Sequence, residues 1–170
     1  MKDRIELTLG DITDQPDLTA IVNAANARLQ TGGGVAGAIH GKGDPELEAA
    51  TRPLAPIEPG EAVLTPAPNL PNAFVIHCLG PRYGIDKPEA GLLENCYLNA
   101  LRLAADEEMD SVGFPALSTG AFGYPAKEAT EIAVRTIRDF LEGSSFPGRV
   151  RFVLFDEPMF RLYNKTLGRD

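Results

Sequence analysis

Short apolar runs alternate with longer stretches of helical spacing along almost the whole chain. That alternation limits the fold to α/β architectures, in which helices cover a sheet. Strands are predicted at Ile5 to Leu9, Ala20 to Asn23, Ala62 to Thr65, Phe74 to Leu79, Val112 to Pro115 and Val150 to Phe155. Helices are predicted from Val35 to about Ala50, from Pro88 and Glu89 to about Glu107, from Pro125 to about Leu141 and from Pro158 to Leu167. Gly10 to Thr13 reads as a turn, Pro66 to Asn72 as a turn-rich break, and Pro53, Pro56 and Pro59 forbid regular structure between them. The expected fold is one domain over residues 1–170, a three-layer α/β/α sandwich around a mixed central sheet, with no internal repeat or linker.

Two segments depart from ordinary packing patterns. In the first, Ile21-Val22 runs into Asn23-Ala24-Ala25-Asn26, and Gly32-Gly33-Gly34-Val35-Ala36-Gly37-Ala38-Ile39-His40 follows. Consecutive glycines cost chain entropy, and a helix opening behind them presents bare N–H groups to an anion. Gly32, Gly34 and Gly37 formally match the dinucleotide fingerprint G-x-G-x-x-G. That fingerprint should follow its strand at once and be answered by an acidic residue about 20 positions on. Here Ala27 to Thr31 intervenes and the later region is proline-rich, so only the milder reading of a phosphate- or ribose-binding loop survives.

The second segment, Pro115-Ala116-Leu117-Ser118-Thr119-Gly120-Ala121-Phe122-Gly123-Tyr124-Pro125, leaves a strand and enters a helix. Its small residues again offer N–H groups at a helix N-terminus, with Phe122 as an apolar flap. Ser118 does not meet the serine-nucleophile pattern G-x-S-x-G, because position 116 is alanine, and no Walker lysine is present.

The remaining candidates each have a structural reading beside the functional one. Asp11 in Gly10-Asp11-Ile12-Thr13 is a turn or cap residue, or a carboxylate that accepts from an exocyclic amine. Asn23 and Asn26 brace loops or bind ligand. Phe155 stacks on a base or packs in the core. His40 is a helix-surface or satisfied histidine, and His77 a core or sheet residue. Cys78 and Cys96, without metal-like spacing, are expected to be buried, reduced packing residues. No metal and no cofactor are called for. The net charge of −8 and the lack of any Lys/Arg run argue against general nucleic-acid binding. No apolar run reaches membrane-spanning length and no signal-peptide pattern opens the chain, so a cytoplasmic monomer is expected.

Together, Gly10 to Thr13, Val22 to Asn26, Gly32 to His40 and Ser118 to Pro125 resemble the macrodomain family of ADP-ribose-binding modules. His77-Cys78-Leu79-Gly80-Pro81 and Phe155-Asp156 add weaker support. The resemblance implies that Asp11 takes the adenine amine with help from the Ile12 backbone, and that Phe155 lies against the adenosine. Gly33, Gly34, Val35 and Ala36, with Ser118, Thr119, Gly120, Ala121 and Phe122, would hold the diphosphate. Asn26 would orient the distal ribose and serve as the catalytic residue. The partner so implied is ADP-ribose or ADP-ribosylated protein. The implied reaction is hydrolysis of ADP-ribosyl esters, on mono-ADP-ribosylated acidic side chains or on O-acetyl-ADP-ribose; the alternative is a non-catalytic reader. One departure matters. The hydrolase branch that the chain resembles most carries an aspartate where this chain has Ala36, and often a glycine where it has Thr31. A methyl group cannot take a proton. Viral-type macrodomains that remove ADP-ribose also carry Gly-Gly-Gly-Val-Ala, so hydrolysis would then rest on asparagine and the substrate's own phosphate.

Overall fold

The computed structural model describes residues 3–169. Six strands form one sheet: β1 (Ile5–Leu9), β2 (Ala20–Ala24), β3 (Ala62–Pro66), β4 (Phe74–Cys78), β5 (Ser111–Phe114) and β6 (Arg149–Leu154). Their spatial order is β1-β6-β5-β2-β4-β3. All neighbours run parallel except β3, which pairs antiparallel with β4. The sheet is therefore mixed, as expected, with its one antiparallel strand at an edge.

The central strands are apolar on both faces because both faces are covered. Alternation along the pleat sends successive residues to opposite layers. Val22, Ile76 and Phe152 join one core with helices α3 (Glu89–Asp106), α4 (Ala126–Glu142) and α5 (Glu157–Thr166). Their sequence neighbours Ile21, Val75 and Val153 join the other, with Ile39 and Leu47 from helices α1 (Gly34–Gly43) and α2 (Glu46–Thr51). In the larger core, Tyr97, Phe114, Phe152 and Tyr163 form a run of ring contacts with centroids 5.4, 6.4 and 4.8 Å apart.

Two local expectations are corrected. The predicted helix from Val35 to about Ala50 is broken at Asp44-Pro45 into α1 and α2. Pro45 pushes Asp44 to extended backbone, φ −77° and ψ 153°, and removes an N–H that a continuous helix would need. The Asp44 carboxylate then accepts from the Glu48 N–H at 3.0 Å and steadies the start of α2. Conversely, Pro53 lies within a single 3₁₀ turn, Arg52–Leu54, where a proline near the start loses no intrahelical bond. The strand ends shift by a residue, which leaves Phe155 just outside β6. Among the described residues no helix is long and apolar enough to cross a membrane.

Candidate ligand-binding site

Parallel strands bring their carboxyl ends to one edge of the sheet, and the crevice outside those ends is where α/β sheets place ligands. The segments that follow β1, β2, β5 and β6 gather there around a cavity of about 650 Å³. Asp11, Ile12 and Phe155 line it, as do Asn26, Gly33, Gly34, Val35, Ala36, and Ser118, Thr119, Gly120, Ala121 and Phe122. Every site residue predicted from the sequence thus borders one space. Met159, in the first turn of α5, also lines it and was not foreseen. The signal available for it was Asp156, whose carboxylate caps α5 by accepting from the Met159 N–H at 3.0 Å directly after Phe155.

The glycine loop has two specific backbone demands. Gly34 sits at φ +57°, in the left-handed region. A Cβ on Gly37 would collide with the Gly32 carbonyl oxygen, so the loop can fold against α1 only with hydrogen there. Nine residues separate β2 from α1, unlike a dinucleotide turn. Helix α1 opens at Gly34 without a side-chain cap and with no acidic group in its first turn, so its leading N–H groups and dipole remain available to an anion. Ala36, only 4% exposed, places a methyl group in the cavity wall.

The facing loop is held from several sides. The Tyr124 N–H donates to the Ser118 carbonyl at 2.9 Å, the Gly123 N–H to the Gly120 carbonyl at 3.0 Å, and the Tyr83 N–H to the Phe122 carbonyl at 2.8 Å. Among the described residues, no backbone carbonyl takes the N–H of Gly120, Ala121 or Phe122. Ser118 is buried at φ +66°, and its hydroxyl has no partner among the described residues. A conformation so uncommon for a non-glycine residue is kept where surrounding bonds over-determine it, and it clusters at ligand sites.

On the β1 side of the cavity, Asp11 Oδ1 accepts from both the Thr13 hydroxyl (2.7 Å) and the Thr13 N–H (2.8 Å). These bonds hold the Asp11 carboxyl below its usual range. Asp11 is therefore a turn residue, and Oδ2 keeps lone pairs for a second donor. Phe155 is 90% exposed, which rules out core packing and leaves its ring on the cavity rim.

At the other end, the Asn26 Nδ2 donates to the Gln30 carbonyl at 2.8 Å and its Oδ1 accepts from the Gln30 N–H at 3.1 Å. Asn26 thus braces its own loop, while its amide retains one proton and one lone pair for a ligand. Beneath it, the buried Asn23 Nδ2 lies 3.1 Å from His77 Nδ1, and His77 Nε2 lies 2.9 Å from the Thr65 hydroxyl. An amide nitrogen only donates, so Nδ1 is the accepting nitrogen and Nε2 carries the proton. Burial, with a smaller contribution from the neighbouring His40 ring, pushes the His77 pKa down to about 3. His77 is the sheet residue expected. His40 lies within the core rather than on the helix surface, with Nδ1 2.8 Å from the Asp44 carboxylate and Nε2 unpartnered.

Cys78 and Cys96 are buried and unbridged. Burial pushes the Cys96 thiol up to about 12, which keeps it protonated and unreactive. Among the described residues no group of three His, Cys, Asp or Glu side chains could hold a metal ion.

Comparison with known proteins bears on this geometry. The Macro domain family model matches residues 22–133. A Citrobacter koseri protein named O-acetyl-ADP-ribose deacetylase is 48% identical, over 98% of this chain and 97% of its own length. A similarly named Salmonella typhimurium protein is 45% identical over 98% of this chain and 96% of its length. Among solved structures, the Oceanobacillus iheyensis macrodomain with ADP superimposes with a TM-score of 0.91 at 40% identity, covering 96% of this chain and 90% of that one. The Trypanosoma brucei macrodomain in complex with ADP-ribose gives a TM-score of 0.91 at 38% identity, covering 97% of this chain and 69% of that one. With a family match over most of its length, near-full-length relatives and the same three-layer architecture, the chain belongs to the macrodomain family.

Proposed function

We propose that the protein binds ADP-ribose in this cavity and hydrolyses ADP-ribosyl esters, either O-acetyl-ADP-ribose or mono-ADP-ribosylated acidic side chains. The observation that carries the proposal is the cavity's make-up. One crevice joins an accepting carboxylate at one end, two runs of main-chain donors in the middle and an asparagine amide at the other. The near-full-length relatives named as deacetylases support the same reaction.

In this reading Asp11 Oδ2 accepts from the adenine amine, and the Phe155 ring covers the adenosine from the rim. The α1 N-terminus and the Ser118–Phe122 loop share the diphosphate, so an acidic protein holds an anion through backbone dipoles rather than through Lys or Arg. Asn26 donates its remaining N–H to a hydroxyl of the distal ribose. Ala36 supplies no base, so the attacking water is held by the substrate's own phosphate and by Asn26. The reaction consumes one water. The water oxygen bonds to the acyl carbon, the acyl–oxygen bond breaks, the ribose oxygen takes up one of the water's protons, and a carboxylic acid leaves. Phe122 shields the site from bulk solvent. The protein acts as a monomer in the cytoplasm, where buried reduced thiols such as Cys78 and Cys96 persist.

The Ala36 methyl is the one feature that favours the second reading, a binding module without turnover. Calorimetric titration with ADP-ribose, followed by a turnover assay on O-acetyl-ADP-ribose with the same sample, decides between them. Binding with release of acetate supports the hydrolase, binding alone supports the reader, and no heat with ADP-ribose sinks both. Asp11→Ala is expected to weaken ADP-ribose binding by about 1.5–3 kcal/mol, the value of a hydrogen bond to a charged group. An affinity equal to wild type would show that the adenine is not read there.

A further inference from the structure

A second cavity, of about 410 Å³, lies against the other part of the Asn26 loop. Asn26 faces the first cavity, and its immediate successors Ala27, Arg28 and Gln30 line the second, opposite Arg52, Ala55 and Pro56. The wall between the two is stiff. Besides the paired Asn26–Gln30 bonds, the Thr51 hydroxyl donates to the Leu29 carbonyl at 2.7 Å and the Ile57 N–H to the Ala27 carbonyl at 2.9 Å.

The charge of this groove is opposite to that of the protein. Arg28 is exposed and makes no ion pair among the described residues. Arg52, 73% exposed, has only Glu48 at 3.8 Å, a separation too long for a hydrogen bond. Two guanidinium groups against one carboxylate leave the groove net positive on a chain whose net charge is −8. Arg149 and Arg151, by contrast, are neutralised at contact distance by Glu6 and Asp17.

We propose that this groove docks the carboxylate-rich polypeptide that flanks an ADP-ribosylated acidic side chain, with Arg28 and Arg52 pairing its carboxylates. The proposal rests on the hydrolase reading and selects the protein-borne ester as the favoured substrate. The acyl group departs from the ribose end of the first cavity, at Asn26, and the next depression along the same loop is this one. Gln30 can both donate to and accept from a peptide backbone, and Ala27, Ala55 and Pro56 give an apolar floor. No aromatic side chain lines the groove, so it lacks the platform on which a further nucleotide would stack.

The test compares ligands in one titration series at low and high salt. The probes are free ADP-ribose, a glutamate-flanked peptide carrying ADP-ribose through a hydrolysis-resistant oxime, the same peptide with neutral flanks, and an ADP-ribose dimer. The wild-type protein is expected to bind the acid-flanked conjugate roughly threefold to tenfold more tightly than ADP-ribose, with the advantage falling as salt rises. The double variant Arg28→Ala, Arg52→Ala is expected to lose that advantage while its affinity for free ADP-ribose is unchanged. Equal affinity for the two conjugates in the wild type would overturn the proposal. So would an advantage that survives in the double variant, or one that the ADP-ribose dimer enjoys equally. Turnover of O-acetyl-ADP-ribose is read separately: if it is absent while the acid-flanked advantage stands, the hydrolase reading fails and the docking groove remains.

Discussion

Asn26→Ala is expected to lower ester turnover by about 10²–10³-fold while changing ADP-ribose affinity by less than about tenfold. The asymmetry follows from what the amide does in each state. In the proposed binding mode ADP-ribose is held along its whole length by Asp11 and two runs of main-chain N–H groups that line the cavity, so the loss of one hydroxyl contact is a small part of ground-state binding. The reacting water and the ester have no such redundancy, because the Ala36 methyl offers them nothing. An interaction that counts mainly in the transition state lowers kcat and kcat/KM together. Asn26 also braces Gln30, so the variant needs a structural control. A thermal melt supplies it: Asn26→Ala is expected to remain folded at assay temperature, whereas Asn26→Asp, which keeps an acceptor for the Gln30 N–H but sets a carboxylate oxygen against the Gln30 carbonyl, is expected to melt lower and to turn over as poorly. Steady-state kinetics on O-acetyl-ADP-ribose with calorimetry on ADP-ribose checks both. Affinity that falls in step with turnover would show that Asn26 serves binding rather than the reaction.

The second large effect is on stability in mild acid. His77 is held neutral in the fold, with its pKa pushed from 6.5 down to about 3. Above pH 6.5 folded and unfolded chains both carry a neutral imidazole there, and the full stability is present. As pH falls below 6.5 the unfolded chain takes up a proton that the folded chain refuses, so stability drops until the pH approaches 3. One such histidine removes about 2 kcal/mol between about pH 7.5 and about pH 5, a range in which ordinary carboxylates stay ionised. Protonation of the fold itself would turn Nδ1 from an acceptor into a donor facing the Asn23 amide. Urea denaturation across that range, for wild type and His77→Gln, is the measurement. The variant is expected to be less stable at pH 8 but to show a pH slope flatter by about one proton. An unchanged slope would mean that another group binds the proton.

The order of elements was legible because it depends on local patterns: apolar runs for strands, helical spacing between them, and proline or aspartate at helix starts. The three layers followed, since a strand such as Val112–Phe114, apolar at successive positions, needs cover on both faces. The break at Pro45 was hidden by apolar positions that keep helical spacing across it, Ile39 in α1 and Leu47 in α2, both packed on the same core. The site was legible as a set because glycines and amides are costly unless they are used. Which bonds each amide makes was not, because Asn26 to Gln30 and Asn23 to His77 are fixed by loop closure and strand register. His40, readable as a surface or a satisfied histidine, is the satisfied one at Nδ1. A polar residue in an otherwise apolar stripe reads as exposed until a partner is found, and that partner is Asp44, created by the helix break.

The cavity's central walls are made of main-chain donors on small residues. No substitution except proline deletes a main-chain N–H; others can only fill the space in front of it or bend the path that aims it. Tolerance at Gly33, Val35, Ala36, Gly120 and Ala121 is therefore governed by volume rather than by chemical identity, while Gly34 is also held by its left-handed backbone, and the donors carry no charge that a change of pH could switch off. In the proposed binding mode, a catalytic side chain gained at position 36 would leave the hold on the anion in place.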